Sequence, residues 1–186
     1  MVSVIACDDG RVTKLGGGYT VVACLLWSMK PIDVEVHLVK IDGLEASATI
    51  AYSIQVLLLR NRVRVDALLL DSLTIAGFNV VSPATVKKLT GVPVIVAYKY
   101  KPSSRRLEEA LRKHFKDWDL RLSILKIVDE AIEVNTRKGP LYVVTWGLDI
   151  DKAKDTIEET QIYARTPEPL RIADMIASEA TLVIGQ

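Results

Sequence analysis

Aspartates follow two apolar segments of the sequence, at the point where each segment ends. Residues 2–7 lead directly into Asp8 and Asp9, and residues 67–70 lead into Asp71. Short apolar segments of this kind are typical of strands that are covered on both faces of a sheet. If the two strands are parallel neighbours, Asp8 and Asp71 converge at one edge and could bind a hard divalent cation. The alternative is that both residues only form turns, because aspartate is frequent there.

Two further polar residues near these strand ends have more than one interpretation. Asp9 is interpreted as a turn residue or as a neighbour that supports the site. Lys99 follows a third apolar segment, residues 93–98. We interpret its ammonium group either as a contact for a phosphate or carboxylate or as a side chain that is simply exposed to solvent.

The elements that would position these residues are predicted from apolar patterns and from helix-start and turn residues. The predicted strands are residues 2–7, 19–27, 33–41, 67–70, 93–98, 122–128 and 141–144. The first predicted helix ends near residue 60. Four more predicted helices cover residues 83–89, 102–115, 149–159 and 169–182. We expect the first three strands to form an antiparallel meander and the next two to form a parallel strand-helix-strand unit. The glycines at 16–18 are interpreted as a connection, since no phosphate-binding motif surrounds them.

Length and composition indicate one globular unit. The chain has 186 residues, of which 49% are hydrophobic, so we expect a single domain over residues 1–186 with one core. Its apolar runs are far shorter than the roughly 18 residues that span a bilayer, so we predict no transmembrane helix. The N-terminal residues lack a signal-peptide pattern, and we expect the protein to be cytoplasmic.

The cysteines and histidines do not form a metal-binding pattern. Cys7 and Cys24 have no Cys-x-x-Cys spacing, and His37 and His114 lie far apart in the sequence. We therefore expect no zinc site, and we predict that both cysteines are buried reduced thiols.

The charges are distributed unevenly along a chain whose formal net charge is only +1. Residues 99–116 contain seven Lys or Arg and two Glu, a net charge of +5, whereas residues 149–159 contain two Lys and five acids, a net charge of −3. A globally basic nucleic-acid binder is excluded, but a locally basic face is not. The basic helix over 102–115 is interpreted as a nucleic-acid contact or as an ordinary solvated face.

The order of these elements, with acids after the first and fourth strands, is that of the α/β ribonuclease H-like fold, a mixed sheet of order 3-2-1-4-5 with flanking helices. Within this fold the sequence resembles endonuclease V, and more closely the uncharacterised endonuclease V-like family, over nearly the whole chain. The resemblance is carried by residues 6–10 (Ala-Cys-Asp-Asp-Gly), 43–44 (Gly-Leu), 68–71 (Leu-Leu-Leu-Asp), 90–99 (Thr-Gly-Val-Pro-Val-Ile-Val-Ala-Tyr-Lys) and 165–174 (Arg-Thr-Pro-Glu-Pro-Leu-Arg-Ile-Ala-Asp).

The resemblance implies a metal-dependent nuclease. It implies that Asp8 and Asp71 bind magnesium or manganese and that Lys99 approaches the scissile phosphate of DNA or RNA. It also implies that Arg171 and Asp174 either fix the final helix over the core or help to complete the site.

The sequence also departs from the endonuclease V pattern. The acid near the start of the first long helix is absent from residues 46–50, where only Asp42 or Glu45 could substitute from nearby. The wedge that exposes a damaged base is replaced at residues 40–44, the glycine after the fourth-strand acid is Ser72, and the later histidine is missing from residues 145–148. Two function classes therefore remain, a divalent-metal nuclease and a non-catalytic nucleic-acid-binding or interaction protein that retains the fold.

Overall fold

The computed structural model describes residues 2–12 and 17–184. Its strands are β1 Val4–Asp9, β2 Tyr19–Ser28, β3 Lys30–Lys40, β4 Ala67–Leu70, β5 Thr74–Ile75, β6 Asn79–Val80, β7 Val94–Tyr98, β8 Ile132–Thr136 and β9 Gly139–Trp146. Its α-helices are α1 Ala46–Asn61, α2 Pro83–Thr90, α3 Ser104–His114, α4 Trp118–Leu125, α5 Ile150–Thr160 and α6 Glu168–Ile184, and a 3-10 helix covers Lys126–Glu130. Part of the glycine-containing connection, residues 13–16, lies outside the described residues.

Seven of the strands form one mixed sheet in the order β3-β2-β1-β4-β7-β9-β8. The pairs β1–β4 and β4–β7 are parallel, whereas the remaining pairs in this sheet are antiparallel. The predicted order 3-2-1-4-5 is therefore confirmed, with β7 as its fifth strand because the short β5–β6 hairpin intervenes. The strands β9 and β8 extend the sheet beyond β7.

The central strand β4 is buried on both faces, as its run of leucines predicts. Leu68 and Leu70 pack into a core that includes residues of α1, α2, α3 and α4. Ala67 and Leu69 face the other way, into a core that includes residues of α5 and α6. Successive residues of a strand point to opposite faces, so the four apolar residues of β4 join both helical layers to the sheet.

The helices α2 and α5 each begin directly after a polar residue that caps them. The Ser82 hydroxyl accepts a hydrogen bond from the Thr85 amide at 3.2 Å, and the Asp149 carboxylate accepts one from the Lys152 amide at 2.9 Å. Such caps satisfy amides that have no partner within the helix. The predicted starts of α2 and α5 are confirmed.

Arg121, in α4, holds the connection between β3 and α1. It is only 4% exposed, and its guanidinium group donates hydrogen bonds to the backbone carbonyl oxygens of Gly43, Phe78 and Asp42 at 2.9, 2.6 and 3.0 Å. The Asp117 carboxylate lies 3.0 Å away and balances its charge. Three carbonyls from two separate segments thus converge on one buried side chain.

The prediction of a strand over residues 122–128 is wrong. This segment forms the end of α4 and the 3-10 helix, in which Leu122, Leu125 and Val128 are buried. Their spacing of three residues places them on one side of a helix, whereas the β-branched residues between them favoured a strand. The strand β8, which follows, was not predicted.

The prediction of two reduced cysteines is also wrong. Cys7 in β1 is directly opposite Cys24 in β2, and the two residues form a disulfide with their Cα atoms 4.1 Å apart. Directly opposed residues of antiparallel strands bring their Cβ atoms together, so the register of the meander creates this pair. The sequence spacing gave no sign of it, because the register depends on the connection between the strands.

Within residues 2–12 and 17–184, none of the helices is long and apolar enough to cross a bilayer.

Candidate active site

The carboxyl ends of β1 and β4 bring two of the predicted site residues together. The parallel register pairs Ile5 with Leu68 and Ala6 with Leu69. The same offset, continued by two residues, places Asp8 level with Asp71. Both aspartates also line one open cleft of about 470 Å³.

At this edge of the sheet, the surroundings of Asp8 and Asp71 disfavour the charged form of both carboxylates. Burial, together with repulsion from Asp71, raises the pKa of Asp8 to about 8. Burial also raises the pKa of Asp71, and repulsion from Asp174 acts in the same direction, while the positive charge of Lys99 opposes both. A cation bound at this edge would favour the charged form of both carboxylates and would therefore oppose these shifts.

Lys99 contributes a positive charge to the same cleft. It follows the end of β7, the strand that pairs with β4 on the side away from β1. Its side chain lines the cleft together with both aspartates. All three predicted site residues are thus brought together by three adjacent strands.

Asp9 supports the cleft from the last position of β1. Its carboxylate accepts a hydrogen bond from the Ala76 amide at 2.8 Å, which joins the end of β1 to the β5–β6 connection. Burial raises the pKa of Asp9 to about 6, even though this hydrogen bond favours the charged form. The residue therefore holds the loop beside the site, which agrees with its interpretation as a supporting neighbour.

The helix α6 forms the opposite wall of the cleft. It packs across β1 and β2, and Arg171, Asp174 and Ser178 line the cleft at intervals of three and four residues. Arg171 donates a hydrogen bond to the Glu168 carboxylate at 2.7 Å. The helix that covers the core therefore also places Arg171 and Asp174 at the cleft, and their part in completing the site stays a prediction.

Asp42 and Glu45, the two acids that could substitute for the missing helix acid, do not line the cleft. The Asp42 carboxylate accepts a hydrogen bond from the Phe78 amide at 2.8 Å, and the Glu45 carboxylate accepts hydrogen bonds from the Lys40 and Leu44 amides at 2.6 and 2.9 Å. At the start of α1, the Ala46 amide donates instead to the side-chain oxygen of Asn79, at 2.9 Å. The position of the missing helix acid is therefore closed by an internal hydrogen bond.

The donor set fits a cation that needs few protein ligands. In the described part of the chain, no group of three or more His, Cys, Asp or Glu side chains is arranged to hold a metal ion. Magnesium usually keeps several waters and binds one or two carboxylates together with substrate phosphate oxygens. Asp8 and Asp71 match that chemistry, since both supply oxygen ligands and their mutual repulsion favours a cation between them.

The sheet order and the acids at the ends of β1 and β4 define a ribonuclease H-like fold of the endonuclease V type. A solved structure of Ciona intestinalis Endonuclease V, in complex with a 24mer DNA containing an inosine followed by a ribo-adenosine, matches with a TM-score of 0.63 at 16% identity, covering 98% of this chain and 87% of that chain. A crystal structure of a protein of unknown function from Archaeoglobus fulgidus matches with a TM-score of 0.81 at 23% identity, covering 97% and 98%.

The sequence comparison is more specific than the fold. The chain belongs to the Endonuclease dU family, whose profile matches residues 1–181. It is 45% identical over 183 residues to a UPF0215 protein of Aeropyrum pernix, covering 95% of this chain and 97% of that protein. The resemblance to the endonuclease V-like family is therefore confirmed.

Proposed function

We propose that the protein is a divalent-metal-dependent endonuclease that cleaves phosphodiester bonds of DNA or RNA. One observation carries the proposal, namely that Asp8 and Asp71 lie level at the ends of adjacent parallel strands and share an open cleft with Lys99. The family to which the chain belongs and the DNA-bound Endonuclease V of Ciona intestinalis support the same reaction class.

The roles of the residues follow from their chemistry. Asp8 and Asp71 would hold magnesium or manganese, which lowers the pKa of a bound water and neutralises charge on the phosphodiester. Lys99 supplies a compact positive charge that orients the phosphate beside the two acids. Arg171 adds a further positive charge to the same cleft, where its Glu168 partner fixes its position.

The first experiment measures manganese binding by calorimetry on the wild type and on Asp71→Asn. Removing one of two carboxylate ligands should abolish binding in the micromolar-to-millimolar range while the circular dichroism spectrum stays unchanged. Asp151→Asn, an exposed acid in the first turn of α5, is the matched control and should bind as the wild type does. Equal affinity in wild type and Asp71→Asn would refute the metal assignment.

Cleavage is then assayed on mixed DNA and RNA substrates with magnesium or manganese present. The wild type and Asp151→Asn should both cut, whereas Asp71→Asn should show no turnover. Cleavage by Asp71→Asn at the wild-type rate would assign the reaction to other residues.

A second candidate function is a nucleic-acid-binding or interaction protein without turnover. One observation favours it, because Asn79 caps α1 where endonuclease V carries a further acid. The cleavage assay separates the two functions, since only the nuclease cuts when the metal is bound.

The helix α3 provides the test of the nucleic-acid partner. Arg105 and Arg106 lie on this basic helix, and Arg105 pairs with Glu109 across an exposed gap of 3.4 Å. Reversing both charges should weaken binding to all sequences and reduce its salt dependence. The control is reversal of Lys138 and Lys152, two exposed lysines outside α3. An unchanged salt dependence in the α3 variant would remove this helix from the binding surface.

A further inference from the structure

A second cavity continues the acidic cleft toward the chain segment that precedes α6. It has a volume of about 450 Å³ and shares Lys99, Thr166, Arg171 and Asp174 with the cleft. Its other lining residues are Ala164, Arg165 and Met175. We call it the flanking cavity. Three cations and one acid line it, so it favours an anion, whereas the cleft itself favours a cation.

An exposed aromatic ring stands beside the flanking cavity. Tyr100 is 79% exposed and directly follows Lys99 in the chain. The guanidinium carbon of Arg165 lies 5.8 Å from the centre of the Tyr100 ring, within the range of a cation–π contact. Arg165 is itself anchored, because it donates a hydrogen bond to the Pro140 carbonyl oxygen at 3.1 Å.

The contact between Tyr100 and Arg165 contributes little to the stability of the fold. Most of the Tyr100 ring remains in contact with water, so its burial contributes little hydrophobic free energy. Exposed cation–π contacts also contribute little to stability. An anchored cation next to an open aromatic ring, beside a cavity lined by cations, is instead the combination that binds unpaired nucleotides by stacking and by phosphate contact.

We infer that Tyr100 and Arg165 form a stacking platform for an unpaired base next to a phosphate held by the cations of the flanking cavity, so the protein selects single-stranded or locally unpaired nucleic acid. The inference rests on the proposed function only in taking nucleic acid as the ligand. In a fully paired duplex the bases stack on each other, and none is available to the platform without unpairing.

The platform is tested by binding, in EDTA, so that turnover does not enter. Fluorescence anisotropy would follow the binding of labelled single-stranded oligothymidine and oligouridine and of fully paired DNA and RNA duplexes. The proteins are the wild type, Tyr100→Ala, Tyr100→Phe, Arg165→Ala and Tyr52→Ala. Tyr52, an exposed tyrosine on α1, is the matched control because its ring packs against His37 and not against a cation of the flanking cavity.

Loss of one stacked base raises Kd for the single strands about 5- to 150-fold in Tyr100→Ala. Tyr100→Phe retains the wild-type Kd because it keeps the ring, and Tyr52→Ala also matches the wild type. Arg165→Ala reduces the slope of log affinity against log salt by about 0.7, as expected for one lost phosphate contact on a single strand. A difference between oligothymidine and oligouridine identifies which of the two nucleic acids the platform prefers.

Four results would overturn the platform: wild-type affinity in Tyr100→Ala, an equal loss in Tyr100→Phe, an equal effect on duplexes, or no binding of single strands by the wild type. The nuclease proposal fails separately. If the protein binds single strands through Tyr100 but never cuts them, the platform stands and the nuclease proposal fails. If Tyr100→Ala cuts as well as the wild type does, the nuclease proposal stands and the platform fails.

Discussion

Gly10 lies so close to Ala177 that a side chain at position 10 would collide with the backbone of α6. An added Cβ would come within 2.4 Å of the Ala177 carbonyl oxygen and within 2.0 Å of the Thr181 hydroxyl. The glycine therefore sets the distance between the end of β1, with Asp8 and Asp9, and the helix that carries Asp174.

The substitution Gly10→Ala should lower the free energy of unfolding by about 1–3 kcal/mol, because overpacking forces α6 away from β1. Urea denaturation measures this change. Gly17→Ala is the control, since a Cβ there meets no atom within 4 Å, and it should be neutral or slightly stabilising. Equal stability of Gly10→Ala and the wild type would show that α6 does not depend on this contact.

The stability of the metal-free protein should fall as pH rises from about 4 to about 8. The pKa of Asp8 is raised from 3.8 to about 8, so in this range the folded chain keeps a proton that the unfolded chain has lost. The resulting stabilisation is complete below pH 4 and disappears as pH passes the folded pKa. Urea midpoints at several pH values in EDTA measure it.

Asp8→Asn should reduce this pH dependence, because an amide does not titrate, while the raised pKa values of Asp9 and Asp71 leave part of it in place. Asp151→Asn should keep the wild-type dependence. If the stability of Asp8→Asn falls with pH as much as that of the wild type, the effect belongs to other groups. Added manganese should oppose the fall in wild-type stability, because a bound cation favours the charged carboxylates.

Arg121→Lys should destabilise the protein by about 2–4 kcal/mol. A lysine nitrogen cannot reach three carbonyl oxygens and the Asp117 carboxylate at once, so buried acceptors lose their partners. Urea denaturation is the measurement. Arg105→Lys, at a side chain that is 89% exposed, should change stability by less than about 0.5 kcal/mol. Matching losses in the two variants would contradict the role of Arg121.

The disulfide between Cys7 and Cys24 should contribute about 3 kcal/mol, given its sequence separation of 17 residues. The protein unfolded without reductant should show no free thiol, and two thiols should appear after reduction. Reductant should lower the urea midpoint of the wild type but not that of the double variant Cys7→Ala/Cys24→Ala. Two reactive thiols in the unreduced, unfolded protein would contradict the bond.

The strands β1, β4 and β7 were predictable from local patterns, because each contains a short apolar run that leads into a site residue. The order of the sheet came instead from the resemblance to the ribonuclease H-like fold, and parallel pairing in that order brings Asp8, Asp71 and Lys99 to one edge. The metal and its substrate remain predictions, since they depend on ligands beyond the chain itself.

The errors have physical reasons of their own. The pairing of Cys7 with Cys24 depends on strand register, and the helix at residues 122–128 depends on burial that overrides β propensity. Arg121 gave no signal because its partners are backbone carbonyls, which look alike in any sequence. Tyr100 could have been noticed, because Tyr98, Lys99, Tyr100 and Lys101 alternate aromatic and basic residues at the end of a strand.

The disulfide also changes what a cut in the chain would do. Asp8 and Asp9 lie within the covalent ring that Cys7 and Cys24 close. A single proteolytic cut between the two cysteines would therefore leave two fragments joined by the disulfide bond, with β1 still attached to the rest of the molecule. Such a nicked protein would migrate as one species on a non-reducing gel and as two on a reducing gel.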